Sequence, residues 1–322
     1  MASEFHFVEK KMNNQNIGKM SIAKKQAMWG MLLVAPWFIG YLGFNLIPNL
    51  TSLYLSFTEW DMFSAPQWVG WANYLKLLHD PVFMISIKNT FLIMIFSNLI
   101  SITFGLLAAV ILAKDPPGRY LFRTTLYLPS LVMPVAMGMM MRQIYASGNF
   151  GLLNQFLGWF GVPAQRWLTE PQLAIWAVII AAFWGVGGTM VIFLAGLKGI
   201  NQEYYEAAMI DGAGPISKFF HITLPLLAPI IVFQLIMGMI GGSGLQVFEF
   251  PASLADFAGA TNSMGYHNCL GTLVYYLFMN GFRYFKFGLA SALAWYVFGI
   301  ALVLGIFIYF LAKRYNFYGT EN

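Results

Sequence analysis

The chain has 322 residues, 59% hydrophobic and only 10% charged, with a formal net charge of +5. Typical soluble domains carry about 25% charged residues, so this composition excludes a water-soluble globule. A single cysteine, Cys269, also excludes an intrachain disulfide and a cysteine-built metal site.

Charge-free runs separate Lys25 from Glu59, Lys88 from Lys114, Arg123 from Arg142, Glu170 from Lys198, Lys218 from Glu249 and Lys286 from Lys313. Most exceed the roughly 20 apolar residues a spanning helix needs, which predicts an all-α polytopic membrane protein with six transmembrane helices. Residues 1–26 form a polar tail containing Lys10, Lys11, Lys19, Lys24 and Lys25. The first span is expected over 28–57, with Pro36 and Pro48 kinking it, and it is too long and too far from the start for a cleaved signal peptide. Residues 58–87 form an outer segment in which Trp68, Trp71 and Tyr74 suit a membrane-interface belt. The second span is expected over 89–113 and the third over 125–145, the latter rich in methionine, read as packing filler, and carrying Pro129 and Pro134.

A second outer loop, 148–171, precedes a fourth span over 172–197 that holds Trp184, Gly185, Gly187 and Gly188. Small residues let helices approach closely, although glycines beside a tryptophan can also open a hollow. Residues 201–229 are polar and carry helix signals of their own. Asn201 is an N-cap, Tyr204, Ala207, Ala208 and Asp211 share one face, Gly212 stops the helix, and Pro215 starts a second one. This predicts a helix–glycine–helix knuckle. The fifth span starts near Leu226 and meets Gly241, Gly242, Ser243 and Gly244, a break tolerated in a bilayer only beside a cavity or inside protein. The sixth span is expected over 287–311.

Orientation follows the basic residues. Twelve of the eighteen fall on the side of the termini and the knuckle, and Lys76, Lys88, Arg142, Arg166, Arg283 and Lys286 fall on the other. Both termini and the knuckle are therefore expected in the cytoplasm. The net positive charge needs no nucleic-acid partner to explain it.

Glu206-Ala207-Ala208, three residues to Gly212, nine more to Ile222 and then Leu224-Pro225 resembles the EAA loop of permease subunits in bacterial ABC importers, of the maltose and glycerol-phosphate type. The lead-in through Val69, Gly70, Asn73 and Tyr74 to Asn89-Thr90, the run GNFGLLN from Gly148, the QVFE run from Gln246, and the stretch from Thr272 to Ala292 resemble the same sugar permeases. Residues 250–270 depart from that pattern. The resemblance implies a type I ABC importer permease fold, with a transmembrane permease domain over 27–315, a coupling loop over 200–226 between spans four and five, and a C-terminal tail over 316–322. It also implies the bacterial inner membrane, a second permease subunit in a homo- or heterodimer, two ATP-binding subunits, an extracytoplasmic sugar-binding protein and surrounding lipid. Tyr204, Glu206, Ala207, Ala208, Asp211, Gly212, Phe219, Leu224 and Pro225 are the expected ATPase-coupling residues.

No GxxxxGK[ST] phosphate loop occurs, so no cofactor is expected to bind directly, and ATP and magnesium would belong to the partner ATPases. His6, His79, His221 and His267 form no metal pair at helical spacing, and no catalytic constellation is present, so the chain is expected to be a transport subunit and not an enzyme. An ion-coupled secondary transporter is the rival, but it needs titratable groups inside the bilayer and the span interiors carry almost none. Sugars present apolar C–H faces and hydroxyl rims, so Trp184, Gly188, Ser243, Gln246, Tyr276 and Asn280 are the expected pathway residues. An oligosaccharide is the expected cargo, with alginate-derived chains among the candidates and no motif to select them.

Overall fold

The computed structural model describes residues 22–241, 244–255 and 264–314. The start of the tail, Ser243, part of the divergent 250–270 segment and the 316–322 tail lie outside them. The chain divides into two units, residues 1–54 and 55–322. The first contributes α1 (Ile22–Tyr41), a π turn (Leu42–Leu46) and most of α2 (Ile47–Ser56). Its apolar side chains are exposed on all sides, Leu33 by 77% and Phe44 by 85%. A helix apolar all round belongs in lipid or protein, not water.

The second unit opens with a hairpin of β1 (Thr58–Glu59) and β2 (Gln67–Trp68), followed by α3 (Ala72–Leu78). Buried Asn73 donates to the carbonyls of Ser56 and Thr58, both at 2.9 Å, and the Tyr74 and Ser56 hydroxyls lie 2.8 Å apart. Trp68 and Trp71 remain exposed. Helix α4 (Pro81–Ala113) starts eight residues before the expected boundary, because the Asp80 carboxylate caps the Val82 amide at 2.8 Å and Pro81 takes the first helical position. Its 33 residues reach about 50 Å, beyond the roughly 30 Å hydrocarbon core.

The third span is not one helix. Arg119–Leu131 and Pro134–Ile144 meet at 101°. Here α5 (Arg119–Tyr127) continues as a 3-10 turn (Leu128–Leu131), and α6 (Pro134–Ile144) starts afresh. Proline disfavours helical backbone in the residue before it, and Val132 and Met133 are accordingly extended. The 11 residues of α6 reach about 16 Å, half the hydrocarbon core. Of its methionines only Met141 is buried, while Met139 and Met140 are exposed, so the stripe is not simply core filler. Helix α7 (Leu152–Gly158) lies in the second outer loop, where Asn154 donates to the carbonyls of Ala146, Gly148 and Gln165 and accepts from the Trp167 indole at 2.8 Å.

The fourth span comprises α8 (Pro171–Ile180), a 3-10 turn (Ala181–Gly185) and α9 (Val186–Lys198). It packs on α4 and α5 through small residues: a Cβ at Gly105 of α4 would come within 2.8 Å of Thr189, and one at Gly187 within 2.0 Å of the Leu126 carbonyl of α5. Asp115 ties the ends together, 2.7 Å from Arg119 and 3.6 Å from Lys198. The fifth span is also bent, with Pro215–Leu226 and Ala228–Ile240 at 62°. Pro229 near the start of α13 (Ala228–Ile240) has no amide to bond the carbonyl of Pro225 and its ring crowds that carbonyl. Close to this bend, a Cβ at Gly196 would meet the Ile230 side chain at 2.2 Å and that of Leu227 at 3.1 Å.

After α14 (Glu249–Ala255), buried Asn89 and Thr90 of α4 hold the next segment. Asn89 donates to the carbonyls of Cys269 and Gly271 at 3.0 and 2.9 Å, and Thr90 accepts from the Leu273 amide at 2.9 Å. Thr272 caps α15 (Leu273–Phe278) and donates to the Val247 carbonyl at 2.6 Å. A π turn (Met279–Arg283) leads to α16 (Phe287–Arg314). Among the described residues, four helices are thus long and apolar enough to cross a membrane, and there are six crossings only if each bent pair counts as one.

Candidate functional site

Two features stand out, a knuckle on the surface and a cavity inside. In the knuckle, the Asn201 side chain accepts from the Glu203 amide at 3.1 Å and starts α10 (Gln202–Ile210). The helix ends in a Schellman turn: the Ala213 amide donates to the Ala208 carbonyl at 2.8 Å and the Gly212 amide to Met209 at 3.1 Å. Gly212 has φ +76°, the left-handed backbone that favours glycine. Pro215 then starts α11 (Pro215–Lys218), followed by a π turn (Phe219–Thr223) and α12 (Leu224–Leu226). The hydroxyls of Tyr205 and Thr223, 3.0 Å apart, brace the two arms.

Among the residues expected to couple, Tyr204, Glu206, Ala207, Asp211, Gly212 and Pro225 are exposed, and Ala208 is half-buried beside Tyr205 on the inner face. Phe219 and Leu224 face inward and pack on the cluster of Phe193, Leu194 and Leu227. The structure adds apolar residues to the outer face: Met209, Ile210, Ile216 and Phe220 are exposed, Ile210 by 88%. The sequence signal for them was present, since apolar side chains in a polar connecting segment need a partner or pay in solvation.

The cavity, of about 480 Å³, lies between α4, α6, the fourth span, α13 and the start of α14. Its polar lining comes from Ser97, Asn98, Ser101, Thr189 and Gln234. Ser101 and Thr189 share a hydrogen bond at 2.7 Å across α4 and α9, and Asn98 donates to the Met94 carbonyl at 2.9 Å. A Cβ at Gly238 would lie 1.7 Å from the Asn98 amide oxygen, so glycine there lets this amide seat against α13. The fourth-span glycines divide by role. Gly187 is a packing residue, whereas Gly185 and Gly188 border open space and line the cavity.

The pathway residues expected from sequence are not brought together. Gly188 lines this cavity, Trp184 packs half-buried against the main core with its indole nitrogen unpartnered, and Gln246 is exposed. Tyr276 and Asn280 border a separate cavity of about 250 Å³ with Lys286. There the Tyr276 hydroxyl donates to the Asp80 carboxylate and Asn280 donates to the Tyr276 carbonyl at 2.9 Å. Ser243 lies outside the described residues. As the glycine-rich patch suggested, α13 stops at Ile240, with Gly241 extended. Sequence reasoning missed Ser97, Asn98, Gln234 and Gly238, although a polar group in an apolar span is itself a functional signal.

Comparison with known proteins places these features in context. The family described as binding-protein-dependent transport system inner membrane component matches residues 101–317. The probable ABC transporter permease protein YesP of Bacillus subtilis (strain 168) is 38% identical over 300 residues, 92% of this chain and 93% of its own. The arabinooligosaccharides transport system permease protein AraP of Halalkalibacterium halodurans is 30% identical over 286 residues, 88% and 86% of the two chains. A chain in the crystal structure of a bacterial ABC transporter involved in import of the acidic polysaccharide alginate superposes with a TM-score of 0.75 at 24% identity, over 91% of this chain and 97% of that one.

Proposed function

Because the chain belongs to the family of binding-protein-dependent transport system inner membrane components, we propose that it is a permease subunit that imports an oligosaccharide across the bacterial inner membrane. The energy comes from partner ATPases that dock on the knuckle. The termini and the knuckle face the cytoplasm, a second permease completes the pathway, and an extracytoplasmic binding protein delivers the sugar. Closure of two ATPases draws two knuckles together, and the bent spans carry that displacement to the cavity.

The observation that carries this reading is the continuity of the knuckle with the cavity wall. Exposed apolar residues Ile210, Ile216 and Phe220 offer a docking surface, and the same stretch of chain passes through the bend at Leu227 into α13, which supplies Gln234 and Gly238 to the cavity. The names of relatives such as AraP support a carbohydrate cargo. The ion-coupled rival is disfavoured because no titratable side chain among the described residues lines the cavity.

The test combines ATPase copurification with uptake of labelled oligosaccharides by membrane vesicles. ATP depletion should abolish uptake, and a proton uncoupler at constant ATP should leave it intact. Glu206→Lys, which reverses an exposed charge on α10, should release the ATPase and lower uptake without preventing membrane insertion. Sensitivity to the uncoupler alone, or normal copurification and uptake in Glu206→Lys, would overturn the reading.

A further inference from the structure

We infer that this chain binds an anionic phospholipid in a groove between the starts of α4 and α8, at the end of the fourth span opposite the knuckle. The groove encloses about 500 Å³, within the range of about 300–1,000 Å³ typical of small-molecule sites. Its walls are the two helices and the turn at Tyr266–Asn268. Ile85 and Leu92 give apolar surface on one side, and Ile175, Trp176 and Ile179 give it on the other. Lys88 supplies a cation and His267 an imidazole, both exposed, and no acidic side chain among the described residues lines the groove. Lys88 makes no ion pair or hydrogen bond among the described residues. An unpaired ammonium above an apolar trough is complementary to a negatively charged phosphate carried on acyl chains.

Depth agrees with that chemistry. Helix α4 is about 50 Å long, about 20 Å more than the hydrocarbon core, so an even overhang leaves about 10 Å at either end. Lys88 stands seven residues from Pro81, about 10 Å along the axis, at the boundary between acyl chains and headgroups. Trp176 stands five residues into α8, near the level where indoles gather, 46% exposed and with its ring centroid 5.2 Å from that of Phe96. A water-borne anion would meet Lys88 and gain nothing from the trough, whereas an acyl chain buries apolar surface there. The third wall is held ready for this ligand. Asn89 donates to the carbonyls of Cys269 and Gly271, and His267 is fixed at φ +50°, a backbone region uncommon outside glycine and kept only where neighbours enforce it.

The experiment places the full chain, purified with its copurifying subunits, in phosphatidylcholine vesicles doped with phosphatidylglycerol that carries brominated acyl chains. Bromine quenches tryptophan emission on contact, and the Trp176 signal is the difference between the wild type and Trp176→Phe. That signal should be quenched at a lower fraction of brominated phosphatidylglycerol than of brominated phosphatidylcholine. Lys88→Gln should raise the fraction giving half quenching about fivefold, the weight of one basic residue at an anionic surface, and Lys88→Arg should restore it. Inorganic phosphate should not displace the brominated lipid. Equal quenching by the two lipids in the wild type, a measurement that needs no Lys88 variant, overturns the inference. So does an unchanged midpoint in Lys88→Gln, or displacement by inorganic phosphate. Release of a copurifying subunit by Lys88→Gln would make the groove a subunit interface and sink the lipid site as well. The readout is binding, so a failure of ATPase coupling or uptake bears on the import reading alone.

Discussion

The knuckle and the cavity lie along one continuous stretch of chain, and they are built by opposite means. In the knuckle the shaping bonds are local: Asn201 to Glu203, Gly212 to Met209 and Ala213 to Ala208. Its apolar face is turned outward, where the docking proposed above would complete it. In the cavity the polar groups come from Ser97 and Asn98, from Thr189 and from Gln234, segments far apart in the chain that meet only after the helices pack. A surface awaiting a partner can be shaped by its own backbone, because the partner supplies the other half. A chamber for a solute draws its walls from several packed helices, so each wall depends on the others.

Separable damage is the test of that contrast, and the largest effect is expected at Gly212. A valine there combines a left-handed backbone, costing about 1–2 kcal/mol for an ordinary residue, with a β-branched side chain that tolerates it poorly. Gly212→Val should reduce ATPase copurification, and uptake with it, by tenfold or more, tenfold being about 1.4 kcal/mol. Gly238→Ala should spare copurification. The added methyl must displace the Asn98 amide, at a cost of about 1–3 kcal/mol for overpacking, so uptake should fall about tenfold with copurification intact. If Gly212→Val left copurification intact, or Gly238→Ala lowered it as much as uptake, the two regions would not be independently built.

Smaller changes sharpen the comparison. Tyr205→Phe removes one brace between the arms of the knuckle, worth about 0.5–1.5 kcal/mol, and should weaken copurification a few-fold. Its effect should exceed that of the same substitution at exposed Tyr204, for which no brace is seen. The smallest effect belongs to the outer hairpin and serves as a control for both regions. Hydrogen bonds from the Ser64 hydroxyl at 2.6 Å and amide at 2.8 Å hold the Asp61 carboxyl below its ordinary value. A depressed value means that the loop gains from the ionised form above the ordinary carboxylate range and loses that gain as pH falls through the folded value. Ser64→Ala should raise the Asp61 midpoint in an NMR titration and leave copurification and uptake unchanged at neutral pH.

Local features were legible before the fold was known. Asn201, Gly212 and Pro215 each act through their own backbone neighbours, and the helix, turn and restart appear where those residues predicted them. The family-like motifs at Asn73, Asn89 and Asn154 were visible too, but not their work. Each asparagine clamps loop carbonyls, and those held by Asn89 lie 180 and 182 residues away. Distance hides a partner from a sequence pattern. The right-angled break of the third span was missed because Pro129 and Pro134 were noted without any break being drawn from them, whereas the extended pair before Pro134 turns the chain completely. Trp184 and Gln246 were chosen by chemical type, and type does not reveal which way a helix is rotated.

The bend at Leu227 gives the fifth span the properties of a crank. Gln234 sits seven residues beyond it, an arm of about 10 Å at 1.5 Å per residue. A swing of about 10° at the bend would carry that amide by nearly 2 Å, enough to take a hydrogen bond from made to broken. The notch at Gly196, which leaves no room for a Cβ beside Ile230 and Leu227, acts as the bearing that keeps the arm from sliding. If the knuckle drives the cavity as proposed, one radius sets both the reach of the Gln234 amide and the throw it receives, so a substitution that lengthens, shortens or loosens the arm changes both at once.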